Sequence, residues 1–154
     1  MISRVVRPAF VLFLALVLPA PAFAAGRHVT KPRPRHRTTA TLGNNRWRPV
    51  SIGFENVVVA TKQREPWLEL DLRSKKVTGS GGCNRITGSY QAHDSTLRFG
   101  PLVTTRMACP GMSVETRFLR ALQGTRRYRI SGRTLDLLDG GGHILARLEE
   151  QNLR

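Results

Sequence analysis

The chain has 154 residues, with 25 lysines and arginines against 10 acidic residues, and its formal net charge is +15 at pH 7. This length leaves room for one modest domain and excludes an assembly of several. The basic excess suits an anionic partner, but no helix combines a basic face with a DNA-reading motif, so nucleic acid is not expected as a partner.

The N-terminus has the features of a secretory signal peptide. Arg4 and Arg7 give a basic start, residues 9–18 form an apolar run, and residues 22–24 read Ala-Phe-Ala, the small-x-small pattern of a cleavage site. This apolar run is too short for a membrane span, which needs about 20 residues. We therefore predict a signal peptide over residues 1–24 and an exported protein, periplasmic or secreted. An uncleaved anchor helix is the weaker alternative.

Residues 25–41 are predicted to form a disordered basic arm. They contain five basic residues, two prolines and no acid. Low hydrophobicity and like charges cannot offset the entropy lost on ordering. Such an arm would be attracted to an anionic membrane surface, where each Lys or Arg contributes about 1 kcal/mol. A merely solvated basic surface is the alternative.

The remaining residues, 42–150, are predicted to form one β-rich domain. Short apolar–polar alternations, separated by polar turns, are typical of an antiparallel sheet or barrel. The polar tail from Glu149 to Arg154 is expected to fray. We predict strands over residues 45–52, 57–59, 67–72, 77–82, 85–91, 96–99, 102–107, 128–131, 134–138 and 144–148.

One helix, over residues 113–124, is predicted to interrupt the strands. Its apolar face consists of Val114, Phe118, Ala121 and Leu122. Ser113 is the expected N-cap, and Glu115 lies in the first turn, near the positive end of the helix dipole. Gly124 is expected to end the helix in a left-handed conformation.

Cys83 and Cys109, the only two cysteines, are an even pair in a chain that we expect to be exported. A disulfide is the default interpretation in an oxidising compartment. Two buried free thiols and a redox-active pair are the alternatives. The last is disfavoured because the cysteines lack the C-x-x-C spacing and no evident cation activates either thiol.

A run of glycines precedes and follows Cys83, at positions 79, 81, 82 and 88. We expect these glycines to allow the bulges and sharp strand bends that close small barrels. A phosphate-binding loop is the competing interpretation, but the run leads into a strand rather than a helix and lacks the Gly-Lys-Ser/Thr ending. Asn84 is expected to bond to local backbone, and Arg106 to lie at an exposed edge.

Catalytic and metal chemistry have little support in the sequence. His93 with Asp94, and His143 with Asp136 or Asp139, are the only places for a catalytic dyad, and no nucleophile-elbow serine accompanies them. The cysteine spacing does not match structural zinc. We predict no catalytic residue, no cofactor and no metal site. We assign five aromatic residues to the core: Trp47, Trp67, Phe99, Phe118 and Tyr128.

Taken in order, these segments make residues 43–149 resemble the META domain (HslJ-like) family. The family motif is carried by Gly82, Cys83, Asn84, Gly88, Tyr90, Thr105, Met107 and Cys109. The resemblance also includes Trp47 in the opening strand, Glu115, Phe118, Leu119 and Leu122 in the helix, and Leu135 and Leu137 near the end.

The resemblance implies an α+β, β-rich fold, with a curved antiparallel sheet or cracked barrel and one packed helix. It also implies an envelope protein related to heat shock or antibiotic tolerance, with no established enzymatic activity. Our first expectation is a non-enzymatic protein that binds an apolar or anionic ligand, an anionic membrane surface or lipid, or an envelope protein. A small secreted protein-interaction module, acting as an inhibitor or assembly chaperone, is the alternative.

Overall fold

The computed structural model describes residues 40–59, 64–109 and 112–151. The predicted signal peptide and most of the predicted basic arm, residues 25–39, lie outside the described residues. Ala40, which we assigned to the arm, is buried, and its N–H donates to the Gly132 carbonyl at 2.8 Å. No helix in the described parts of the chain is long and apolar enough to cross a membrane.

In the described residues the strands are β1 Arg46–Ile52, β2 Glu55–Asn56, β3 Trp67–Leu70, β4 Lys76–Ser80, β5 Arg85–His93, β6 Thr96–Phe99, β7 Val103–Thr104, β8 Arg127–Ser131, β9 Thr134–Leu138 and β10 Ile144–Gln151. Eight of them, all but the short β2 and β7, form a closed antiparallel ring in the order β1, β10, β9, β8, β6, β5, β4, β3 and back to β1. The fold is therefore a β-barrel with one short helix, which confirms the predicted β-rich class.

The ring is weakest between β6 and β8, where a single residue pair, Thr96 with Arg127, joins the strands. Two irregularities in register lie elsewhere, between Pro49 and Ser51 on β1 and between Ile144 and Ala146 on β10. The residues skipped there are Val50 and Leu145. An extra residue in one strand of a pair bends that strand and changes where its side chain points. Leu145 is such a residue, and it lies in the candidate site described below.

Large apolar side chains fill the interior of the barrel. Alternating strand residues point inward because strand side chains have a period of two, as the burial of β3 and β4 shows. Fully buried members of this one core include Trp47, Leu68, Val77, Ile86, Tyr90, Leu97, Phe118, Leu135, Leu137 and Leu148. Burying such a side chain contributes about 1.5–3 kcal/mol, so packing of the interior is the main source of stability.

Helix α1, Ser113–Gly124, packs its apolar face on the barrel as predicted, but both predicted caps are wrong. The N-cap residue is Met112, and no side chain caps the helix there. At the C-terminus the cap is Thr125, in an extended conformation. Its hydroxyl donates to the Ala121 carbonyl at 2.7 Å and replaces the left-handed glycine that we expected.

Several strand boundaries differ from the predictions. The second strand is Glu55–Asn56, because the turn at Gly53 pairs these residues with the end of β1, and the valines at 57–59 follow it. Strand β10 runs to Gln151 rather than fraying after 148, because β1 pairs with it up to that residue. Among the aromatic residues, Trp67 is half-buried outside the core, with the Arg46 guanidinium 4.3 Å from its ring centroid.

Candidate functional site

The structure brings six of the eight motif residues together where β4 turns into β5. Asn84 is buried at the centre of this group. Its Oδ1 accepts hydrogen bonds from the Met107 N–H at 2.7 Å and the Thr105 hydroxyl at 3.0 Å. Our expectation of local backbone partners is therefore wrong, since these partners lie more than twenty residues away.

Glu115 joins helix α1 to the same group. One carboxylate oxygen accepts from the backbone N–H groups of Asn84 at 2.7 Å and Cys83 at 3.3 Å, and the other accepts from Asn84 Nδ2 at 2.7 Å. Glu115 is itself buried. The role that we gave it at the helix dipole is thus minor compared with its bonds to the β4–β5 turn.

A disulfide joins Cys83 to Cys109, with the Cα atoms 6.0 Å apart. This is the pairing that we preferred to free or redox-active thiols. It fixes residues 105–109 beside the turn that Asn84 and Glu115 already hold. We call Cys83, Asn84, Thr105, Met107, Cys109 and Glu115 the Asn84 cluster.

The glycines near the cluster serve close packing rather than bulges. Only Gly82 has a positive φ, of 110°, among the four positions that we singled out. A Cβ at Gly81 would overlap the Glu115 side chain, and one at Gly88 would lie 2.8 Å from the Pro101 carbonyl oxygen. The strand irregularities of the barrel lie on β1 and β10 instead.

Gly88 and Tyr90, the other two motif residues, lie farther along β5 and do not join the cluster. Tyr90 fills the barrel, and its hydroxyl donates to the Asp71 carbonyl at 3.0 Å. Burial raises the pKa of Tyr90, and the Asp71 charge raises it further. The motif residues therefore serve packing and tertiary hydrogen bonds within the protein. Their side-chain polar groups already bond to other protein groups rather than facing a ligand.

A different place offers space to a ligand. A hollow of about 510 Å³ opens at the surface between α1, the turn after β1 and the start of β10. We call it the α1 hollow. Its volume is in the range of about 300–1,000 Å³ that is typical of small-molecule sites. Its apolar lining is Ile52, Phe54, Ala121, Ile144 and Leu145.

Two features of the α1 hollow bear on what it could bind. Phe54, at the tip of the β1–β2 hairpin, is fully exposed, so no residue in the described part of the chain covers its ring. Arg117 and Arg120 of helix α1, together with His143, also line the hollow. An apolar surface bordered by cations suits a molecule with an apolar body and an anionic group.

The sequence contains no pattern that predicts the α1 hollow. Leu145, the residue skipped in the β9–β10 register, lines the hollow. The Gly53 N–H donates to the Leu145 carbonyl at 2.8 Å and holds the hairpin beside it. Neither the bulge nor this tertiary contact has a pattern in the sequence. A phenylalanine, Phe54, directly after a turn glycine was the one feature of the sequence that could have pointed to this surface.

The two predicted histidine–aspartate pairs differ in their surroundings. His93 and Asp94 are neighbours in an exposed turn, with their side chains 3.0 Å apart. His143 contacts Asp139 at 3.0 Å, and the His143 backbone N–H lowers the pKa of Asp139. Asp136 instead bonds to Arg129 and Arg147, each at 2.7 Å. Within the described ranges, no group of three or more metal-ligating side chains occurs.

Comparisons with known proteins fit the fold. A family model described as META domain matches residues 40–152. No curated protein matches the chain. An NMR structure of a protein from Burkholderia xenovorans is 27% identical, with a TM-score of 0.59, and the match covers 72% of this chain and 84% of that one.

Two further solved structures share the fold alone. One NMR structure is 18% identical with a TM-score of 0.56, covering 70% of this chain and 90% of the other. A crystal structure of a DUF4847 family protein from Bacteroides vulgatus is 18% identical with a TM-score of 0.51, covering 72% of this chain and 96% of that protein.

Proposed function

The chain belongs to the META domain family, and from that premise we propose that it is an exported, non-enzymatic envelope protein that binds a small anionic amphiphile in the α1 hollow. Export is supported by the signal-peptide pattern of residues 1–24 and by the disulfide, which persists in oxidising compartments.

The α1 hollow is the observation on which this function rests. The barrel interior is filled by core side chains, so a ligand would bind on the outside, against Phe54, Ile144 and Leu145. Covering these apolar groups would stabilise a complex by about 25 cal/mol per Å². The guanidinium groups at the edge favour an anionic end over a neutral or cationic one.

The basic residues of the predicted arm suit the same setting. Residues 25–41 carry five Lys and Arg and no acid, so they would draw the protein to an anionic lipid surface, where amphiphiles are found. Co-sedimentation with vesicles that contain anionic lipid should decrease on adding salt and on deleting residues 25–41. Binding that survives both changes would contradict this role of the arm.

Displacement of a neutral apolar fluorophore, N-phenyl-1-naphthylamine, by dodecanoate tests the proposed site. We expect saturable displacement from the wild-type protein and about five- to tenfold weaker binding by Ile144→Ser, because that variant removes apolar contact from the hollow. The control is Val103→Ser, which changes an exposed valine on β7, outside the α1 hollow, and should bind as the wild type does.

The absence of saturable dodecanoate binding by the wild-type protein would contradict the proposal. Equal weakening by Ile144→Ser and Val103→Ser would also contradict it, since binding would then be unspecific. In either case the alternative, a protein-interaction module, becomes the better hypothesis.

A further inference from the structure

Arg117 has an incomplete set of partners at the edge of the α1 hollow. Its Nη1 forms an ion pair with Glu55 of β2. Its Nε is buried and has no acceptor among the residues that the structure describes. A buried donor without an acceptor costs about 1–3 kcal/mol. The ion pair with Glu55 therefore leaves part of the hydrogen-bonding capacity of the guanidinium unused.

Glu55 and Arg117 differ in how firmly they are held. The Arg117 side chain is 29% exposed and extends from a helix that packs on the barrel, whereas the Glu55 side chain is 72% exposed on a two-residue strand. Water can solvate the Glu55 carboxylate once it leaves, and exposed ion pairs contribute only about 0–1 kcal/mol. The Glu55 contact is therefore the one that an incoming anion can replace.

From this contact we infer that Glu55 is an internal competitor for the ligand: the head group is an oxyanion that displaces Glu55 and accepts two hydrogen bonds from Arg117. The inference rests on the proposed function and adds the chemical class of the head group. Carboxylates and phosphates present two oxygens at the spacing of the guanidinium fork, so one oxygen can take the place of Glu55 at Nη1 while the other accepts from Nη2.

The other two basic side chains that line the hollow, Arg120 and His143, are less suited to bind the head group directly. Arg120 is exposed and adds attraction for an anion without a comparable buried donor. His143, which also lines the hollow, is already paired with Asp139 at 3.0 Å. Of these three groups, Arg117 combines a partly buried position with a contact to an exposed carboxylate, so it determines the geometry of the head group.

Isothermal titration of the full oxidised protein with dodecanoate, with 1-dodecanol as the neutral probe, tests the inference. We expect Glu55→Gln to bind dodecanoate about two- to fivefold more tightly than the wild type, because a weak competing ion pair is lost, and 1-dodecanol with unchanged affinity. Glu149→Gln is the matched control, since it removes the same charge from an exposed pair with Arg48, outside the α1 hollow.

Arg117→Lys keeps the positive charge and removes the planar fork. We expect it to weaken dodecanoate binding about tenfold and to abolish the gain from Glu55→Gln in the double variant, which measures the coupling directly. Equal unfolding midpoints by circular dichroism would show that the variants are folded.

The outcomes separate the two proposals. If the wild type binds dodecanoate but Glu55→Gln binds it no more tightly, Glu55 does not compete with the ligand, while the proposed site still stands. An equal increase in affinity for Glu149→Gln leads to the same conclusion. Dodecanoate binding by Arg117→Lys at wild-type strength overturns the oxyanion fork. A wild-type protein that binds neither probe overturns the proposed function and the inference together.

Discussion

A few buried polar side chains join separate segments of this barrel through hydrogen bonds. Asn84 is an example, because its side-chain amide bonds both to Glu115 of helix α1 and to residues 105 and 107. The motif identified this residue from the sequence, but it gave no information about its partners. Residues remote in sequence complete the set, and only folding brings them together.

Asp136 is a second such residue, and its environment predicts a dependence of stability on pH. Burial by itself would raise the pKa of Asp136, but hydrogen bonds from Arg147 and Arg129 outweigh burial and hold the pKa below its usual range. A carboxyl whose pKa is lower in the folded state stabilises the fold above its unfolded pKa, about 3.9, and this contribution is lost as pH falls through the folded value.

We therefore expect Asp136→Asn to lower the free energy of unfolding by about 1–3 kcal/mol at pH 7, and the difference from wild type to shrink below about pH 4. Urea unfolding at a series of pH values measures this. Asp94→Asn, which changes a carboxylate that is 84% exposed, is the control and should differ little from wild type. A difference for Asp136→Asn that stays constant down to pH 2 would refute the assignment.

At the scale of elements, helix α1 depends on one buried carboxylate as well as on its apolar face. Glu115 in its first turn accepts three hydrogen bonds from residues 83 and 84, and no side chain caps the helix otherwise. The apolar face was predictable from the spacing of Phe118 and Leu122. The direction of Glu115 was not, because an acidic residue in a first turn is equally common on exposed helices.

We expect Glu115→Gln to destabilise the protein by about 2–4 kcal/mol, since an amide nitrogen would then face N–H donors in a buried place. Chemical unfolding monitored by circular dichroism gives the free energy. The same substitution at the exposed Glu149 should change it by less than about 0.5 kcal/mol. A loss below 1 kcal/mol for Glu115→Gln would show that the helix is held by apolar contacts alone.

For the whole molecule, the disulfide closes a loop that includes β5 and β6. The Cys83–Cys109 bond spans a sequence separation of 26. The loop-entropy account gives about 3–4 kcal/mol for a loop of this size, a large part of the roughly 5–15 kcal/mol that stabilises a typical domain.

We expect the double variant Cys83→Ala/Cys109→Ala to lose about 3–4 kcal/mol of unfolding free energy, and the wild type to lose a similar amount in a reducing agent. The reducing agent should leave the double variant unchanged, which controls for unspecific effects. Stability that is equal in the oxidised and reduced wild type would mean that the Asn84 cluster holds the loop without the bond.

The local pattern of the sequence determined the β-rich class, the single helix and most of the strands, because side-chain periodicity is set by each element itself. It also determined the cysteine pair as a disulfide candidate. The tertiary structure decided the closure of the ring, the partners of Asn84 and Glu115, the end of β10 and the position of Trp67. It alone revealed the α1 hollow, because Phe54, Arg117 and Leu145 lie on three separate segments that meet only after the barrel has closed.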